Sequence, residues 1–496
     1  MILNMELDPD LMYDDYDDDL MQYLDGDDYN PDLEDLLAAY HHGYDLPQHY
    51  ERVSVVQLYQ DCIVPTLTQA VQNIVSLFIM CLVFRLVCVF GSVASPQTGL
   101  PPWFLHVSSA MFGIMVLHNF FKISLLYLVA CCGLTYILLT ALSVRWRHLS
   151  GIVIAASITV FIIVCELIVV HNTTWHMIRG AQMILSMKII SLAFDFGSGA
   201  VMDLPNIFEY LGYCLNVGTV IFGPWISYKE YIGLLQPNRL YFSLGWMLKL
   251  IRSSVSSLLC LIVSTCVVQW LILGDTYKWL RAYGDAQSFR FSHYFVSFLS
   301  ESTAVLSGIG IKDDNGNISW DLKVSRPHHI EIPRSLVEVV TNWNLPMHYW
   351  LKTYVFKSAR PLGTFVAILF TYAFSALLHG LNFQLAAVLF SLGFYSYVEY
   401  VLRNKLSTTF SACIQAKHCP GDCEHTYHYW HPAVLIVNVC FGMLTVFHLA
   451  YLGLMFDSSS QQEQGYTMLH TLDKWAKLDY ASHWVVLGTF IFHLLI

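Results

Sequence analysis

Charge is what this sequence is short of. Only 13% of its 496 residues are Asp, Glu, Lys or Arg, while 55% are hydrophobic. After Pro361 the chain runs to Val398 without a charged side chain, room for two bilayer crossings at about 20 residues each. Mean hydropathy is +0.50. A soluble domain of this length is excluded by such a balance, and the expectation is a polytopic membrane protein. No basic cluster with interleaved aromatics is present either, so no nucleic-acid partner is expected.

Other absences narrow the chemistry. HEXXH, GXSXG and P-loop patterns are missing, which argues against a zincin, the usual serine hydrolase and an NTPase. Repeated halves and paired broken helices, which a transporter would show, are not found. The N-terminus has no basic segment followed by an apolar one, so insertion is expected at the first internal span rather than through a cleaved signal. Cysteine does not form a secreted disulfide framework: Cys81, Cys88, Cys131, Cys132, Cys165, Cys260, Cys266 and Cys440 lie in apolar runs, where Cys acts as a small hydrophobe.

What is there begins with an acidic tail. Residues 1–50 hold fifteen of the 37 acidic residues and no Lys or Arg, leaving 22 acids against 26 bases in the remainder. Asp clusters alternating with Tyr, Leu and Met repel one another and offer no apolar face, so this tail is expected to be disordered. Residues 51–496 read as one membrane domain.

Uncharged runs follow at 62–84, ending at Arg85, then 86–121, interrupted by SPQTGLPP, then 123–144 and 149–165. Arg145, Arg147 and His148 mark a cytosolic loop by the positive-inside bias. Asn172 heads a glycosylation sequon. The stretch 175–197 carries Arg179, Lys188 and Asp195 among apolar residues, the pattern of a helix buried in protein or lying at an interface. In 211–231, Gly223 and Pro224 are expected to end an apolar helix, with Trp225 anchoring it. Further spans are expected at 253–274 and 289–310, two within 361–398, then 431–456 and 482–496, with Arg403 and Lys405 in a basic loop. The polar 313–340 insertion, with a second sequon at Asn317, reads as a re-entrant or interfacial loop folding toward the Trp343–Asn344 turn. The fold class expected is all-α: a bundle of about ten or eleven transmembrane helices, at about 20 residues each, with re-entrant or interfacial helices around a central cavity.

Two constellations carry chemistry. Asn344 precedes Pro346, which pre-sets a helical first turn, and His379 ends the apolar stretch after Pro361. An ionisable residue at membrane depth is a functional candidate, although a buried neutral imidazole with one partner is an ordinary structural element. Joined by folding, an amide and an imidazole can bind a carbonyl oxygen and move a proton. Tyr372 and Ser375 lie on the His379 face of one helix and either orient the imidazole or bond their own backbone; Trp343 and Tyr372 would wall the site. The second constellation is 416–431, with His418, Cys419, Cys423, His425, His428 and His431. Zinc, a loop disulfide and free side chains all remain open there.

At WNLPMHYWL (343–351) and SALLHG (375–380) the chain resembles the membrane-bound O-acyltransferase (MBOAT) family, with IFGPWIS (221–227), SHYFVSFLSE (292–301) and FHLAYLG (447–453) in support. The resemblance spans nearly all of 51–496 and leaves the acidic tail outside. It implies that Asn344 and His379 are the paired catalytic residues; in the mechanism built on them Trp343, Tyr372 and Ser375 are the expected substrate contacts, the first two as walls and Ser375 as a minor orienter. It is closer still to the branch that transfers palmitoleoyl from coenzyme A to a serine hydroxyl of Wnt proteins, in the endoplasmic reticulum membrane and among its lipids. On that reading palmitoleoyl-CoA is a co-substrate, and the chemistry needs no metal or other cofactor. A lipid or sterol hydroxyl as acceptor is the alternative.

Overall fold

The structure is a computed structural model describing residues 54–93, 100–235, 242–272, 277–312, 318–420, 423–456 and 468–496. The acidic tail and the Asn317 sequon lie outside the described residues. Apart from one small antiparallel hairpin, Ile311–Lys312 with Ile318–Ser319, the described regular structure is helical. Seven stretches among the described residues are long and apolar enough to cross a membrane: Val55–Gly91, Pro102–Arg145, Arg147–Val169, Asn172–Ser198, Leu244–Leu271, Phe383–Phe410 and Pro432–Gly453. The second, of 44 residues, consists of two helices that meet at Lys122, where φ is +51°. Two apolar helices of 15 residues, Thr364–Leu378 and Ala481–Leu495, are shorter. The described chain is thus an all-α polytopic membrane protein.

Arg85 does not end a span. It lies inside Val55–Gly91, fully buried, with its guanidinium 5.2–5.4 Å from the rings of Phe242, Trp246 and Trp320. Three electron-rich faces stabilise a cation that the hydrocarbon would reject. Arg403 and Lys405 likewise belong to the Phe383–Phe410 helix rather than to a loop. The Arg403 guanidinium pairs with Glu399 at 2.9 Å and donates to the Ile414 and Arg334 carbonyls, both at 2.7 Å. The 289–310 stretch is part of a longer helix, Lys278–Ser307, whose buried Ser, Thr, Arg and Glu face other helices. Cys266 is no isolated hydrophobe: it is joined to Cys62 by a disulfide linking the first and fifth of these stretches.

The 211–231 segment departs most from the sequence expectation. A capping box at Asn206 and Glu209 starts a helix that ends at Cys214, and the backbone from Leu215 to Ser227 then runs irregularly through the protein interior. Irregular backbone at such depth needs protein partners for its polar groups. Lys188 supplies several, donating to the carbonyls of Tyr213 (3.1 Å) and Cys214 (3.3 Å) and to the Thr219 hydroxyl (2.7 Å). Thr303 donates to the Gly218 carbonyl at 2.9 Å. Position 218 must be glycine, because a Cβ there would stand 2.1 Å from Ser307 Oγ.

Lys188 belongs to Asn172–Ser198, of which 72% of the apolar window is buried, against 22% for Arg147–Val169. Its charged residues mark a helix enclosed by protein, whereas the neighbouring span presents Ile152, Val160, Leu167 and Ile168 outward, as a lipid-facing helix does.

Candidate active site

Asn344 is set between two short helices. Ser335 caps Leu336–Trp343 through the N–H of Glu338. Asn344 then caps Leu345–Trp350, its Oδ1 accepting the Met347 N–H at 3.0 Å, and Pro346 occupies a first-turn position that has no N–H to satisfy. With Oδ1 committed, the amide's Nδ2 carries two donors and makes no hydrogen bond among the described residues. Two buried anchors fix the chain on the far side of this turn: Trp350 Nε1 donates to the Met187 carbonyl (2.9 Å), and the Tyr354 hydroxyl to the Asp195 carboxylate (3.0 and 3.1 Å).

The polar insertion does fold against this turn. The Val324 carbonyl accepts the Leu345 N–H at 2.8 Å, and Arg326 N–H donates to the Asn342 carbonyl at 3.1 Å. Glu301 holds the insertion from the other side, accepting the Val324 N–H (2.7 Å) while paired with Lys249 (2.6 Å). A buried carboxylate needs such partners for its oxygens.

His293, on Lys278–Ser307, lies in the SHYFVSFLSE stretch, but no local pattern marks it as part of the site. Its ring stacks on Trp343 with centroids 4.4 Å apart, and Nε2 lies 2.8 Å from the Trp343 carbonyl oxygen. Since a carbonyl only accepts, Nε2 is the protonated nitrogen. Phe289 stacks on the indole as well, at 6.1 Å.

His379 is the C-cap of Thr364–Leu378, its N–H bonded to the carbonyls of Ser375 and Ala376. The chain turns at once through Gly380, with φ +96°. A Cβ at Gly380 would meet Arg179 Cδ at 2.8 Å and Glu166 Oε1 at 2.9 Å. Glu166 Oε1 also accepts the Leu381 N–H at 2.7 Å. Backbone on both sides of His379 is therefore fixed, while its half-buried imidazole makes no hydrogen bond among the described residues. It lies within electrostatic reach of His293 and Arg179, and His293 is itself in contact with Trp343.

The hydroxyls on the His379 helix do not hold the imidazole in this structure. The Tyr372 ring lies on Gly393; Ser375 is buried and meets His379 only through its backbone carbonyl. Spacing put both on the correct face, but Gly393 leaves room that the Tyr372 ring fills. Nothing in the local sequence pointed to Glu166 or Arg179; only the tight turn that Gly380 permits brings them there.

The 416–431 loop folds back on the end of Phe383–Phe410. Cys419, Cys423 and His425 converge with Cys413, a residue outside that window, and their four donor atoms lie within 4.8 Å of one another. His418 instead faces Tyr429, and His431 faces Tyr427.

Known proteins place the chain in a family. The model of the membrane-bound O-acyltransferase family matches residues 112–422. The human protein-serine O-palmitoleoyltransferase porcupine is 44% identical over 464 residues, 89% of this chain and 97% of that protein. The Drosophila melanogaster protein of the same name is 32% identical over 88% of this chain and 86% of its own length. The chicken membrane-bound glycerophospholipid O-acyltransferase 2 is 25% identical over 64% of this chain and 70% of its own.

Proposed function

This chain belongs to the membrane-bound O-acyltransferase family and is an acyltransferase, and from that premise we propose that it transfers palmitoleoyl from palmitoleoyl-CoA to a serine hydroxyl of Wnt proteins at the endoplasmic reticulum membrane. The palmitoleoyl group and the protein serine follow the names of the human and fly relatives; Wnt as the acceptor and the endoplasmic reticulum rest on the resemblance of the motifs around Asn344 and His379.

A serine hydroxyl is a weak nucleophile and needs a base within hydrogen-bond reach. His379 takes its proton as the serine oxygen attacks the thioester carbon. The Asn344 Nδ2 donors bind the acyl carbonyl and the negative charge that develops on it, an effect worth about 3 kcal/mol per donor in acyl transfer. Collapse breaks the carbon–sulfur bond; the coenzyme A thiolate leaves and takes the proton from the imidazolium, while the serine ester stays on the acceptor. Trp343 walls the acyl site, with Tyr372 and Ser375 as further contacts. The reacting atoms require no metal.

The observation that carries this reading is the His379 imidazole, which has no hydrogen bond among the described residues although the backbone around it is bonded on every side. The test is palmitoleoyl transfer in detergent from palmitoleoyl-CoA to a Wnt protein or its serine-bearing hairpin. Loss of about 10²–10⁴-fold in His379→Ala with acyl-CoA binding retained is expected. Wild-type transfer by that variant, or faster acylation of a lysophospholipid than of the peptide, would overturn it.

A further inference from the structure

We infer that Cys413, Cys419, Cys423 and His425 form a structural zinc site that fastens the loop after Phe383–Phe410 to the start of the helix leading to Asn344. The inference is independent of the acyl group and acceptor proposed above.

The donors are gathered close to the spacing that zinc demands, within a few tenths of an ångström to about 1 Å of it. Cys413 Sγ lies 3.2 Å from Cys423 Sγ, and His425 Nδ1 lies 3.8 Å from both Cys413 Sγ and Cys419 Sγ. Tetrahedral zinc with bonds of about 2.3 Å to sulfur and about 2.0–2.1 Å to nitrogen places its ligands about 3.5–3.8 Å apart. All three cysteines are free thiols, and three thiols gathered around one imidazole with no metal exchange only weak hydrogen bonds. Zinc binding would release their three protons to solvent and leave a Cys3His tetrahedron with no open position, the closed type found in structural sites.

The histidine is oriented for this from behind. Its Nε2 lies 3.0 Å from Ser407 Oγ, and that hydroxyl donates to the Ala412 carbonyl at 2.6 Å. With the hydroxyl proton committed, Ser407 can only accept, so Nε2 carries the hydrogen and Nδ1 turns its lone pair toward the sulfurs. This outer bond is what fixes the tautomer of metal-binding histidines. His428 Nδ1 also approaches Cys423, at 3.6 Å, but it is exposed and outside the four-donor group.

The loop is tied to the site by its carbonyls. Arg334 donates to the Cys413 carbonyl (2.8 Å), Arg403 to that of Ile414 (2.7 Å), and the Ser335 hydroxyl to that of Ala416 (2.8 Å). Ser335 is the cap of Leu336–Trp343, the helix that ends at Asn344. A metal that holds Cys413 in place therefore holds the base of that helix.

The full chain, purified in detergent without a polyhistidine tag or added metal, is analysed for zinc, iron and copper by mass spectrometry. About one zinc per chain is expected, falling at least tenfold in Cys413→Ser and His425→Ala and unchanged in His428→Ala. Where a variant fails to fold, wild-type protein stripped with a chelator and reloaded with cobalt is expected to show the strong visible bands of tetrahedral thiolate-bound cobalt. Trace zinc in folded wild type, undiminished zinc in Cys413→Ser, the weak spectrum of octahedral cobalt, or a disulfide among Cys413, Cys419 and Cys423 in peptide maps would each overturn the assignment.

Discussion

His293 holds Trp343 twice, by a ring stacked within 13° of the indole plane and by an Nε2–H that donates to the Trp343 carbonyl at 2.8 Å. One side chain thereby fixes both the ring and the backbone immediately before Asn344. His293→Phe keeps the stacked surface and removes the donor. Leaving a buried carbonyl unpaired costs about 1–3 kcal/mol, so kcat is expected to fall about tenfold or more with KM for acyl-CoA little changed. An unchanged kcat in steady-state transfer assays would reduce His293 to packing.

Asn344 serves as a helix cap whatever else it does, and substitution separates the roles. Asn344→Ala loses the cap, worth about 1 kcal/mol, together with the amide donors. Asn344→Asp keeps an acceptor for the Met347 N–H and loses only the donors. Both are expected to lose about 10²–10³-fold in kcat, with the Asp variant melting above the Ala variant in detergent. Near-wild-type turnover by Asn344→Asp would leave Asn344 as a cap alone.

Gly380 is constrained by its backbone angle and by its neighbours at once. A methyl group there would press on Arg179 and Glu166, so Gly380→Ala should move the end of the His379 helix and abolish transfer while the protein stays membrane-inserted. Glu166→Gln, which retains an acceptor for the Leu381 N–H, should keep more activity than Glu166→Ala. Equal activity of the two Glu166 variants would show that this hydrogen bond does not position His379.

Lys188 uses its three donors on two carbonyls and one hydroxyl of the irregular interior segment. Lys188→Met fills the volume but strands three acceptors, each costing about 1–3 kcal/mol. Loss of monodisperse protein on fluorescence-detected gel filtration is expected; a variant that melts like wild type would mean that water takes the ammonium's place.

Membrane character was legible in the sequence because it rests on a sum, the scarcity of charge, that no single tertiary contact alters. The helix ends at Asn344 and His379 were legible for another reason: Pro346 and Gly380 mark where helices start and stop, and polar residues there stand out against apolar runs. What hid was whatever depends on partners distant in the chain. Arg85 looks like a boundary until Phe242, Trp246 and Trp320 surround it, and Arg403 looks like a loop marker until Glu399 and the 412–416 backbone meet it. Cys413 escaped for a similar reason, lying six residues before Cys419 and joining it only through the fold of the loop. The helix expected before Gly223 failed because Lys188 satisfies a broken backbone that hydropathy treats as intact.

Three of the ties that run outward from the Asn172–Ser198 helix reach different parts of the protein. Lys188 reaches the 213–219 backbone, and Asp195 receives the Tyr354 hydroxyl. Arg179, about half a turn around the axis from Lys188 at 3.6 residues per turn, packs beside Gly380. Sliding the helix by one turn, about 5.4 Å, or rolling it would withdraw all three together. A motion that admits a long acyl chain is therefore expected in the elements packed around this helix rather than in the helix itself.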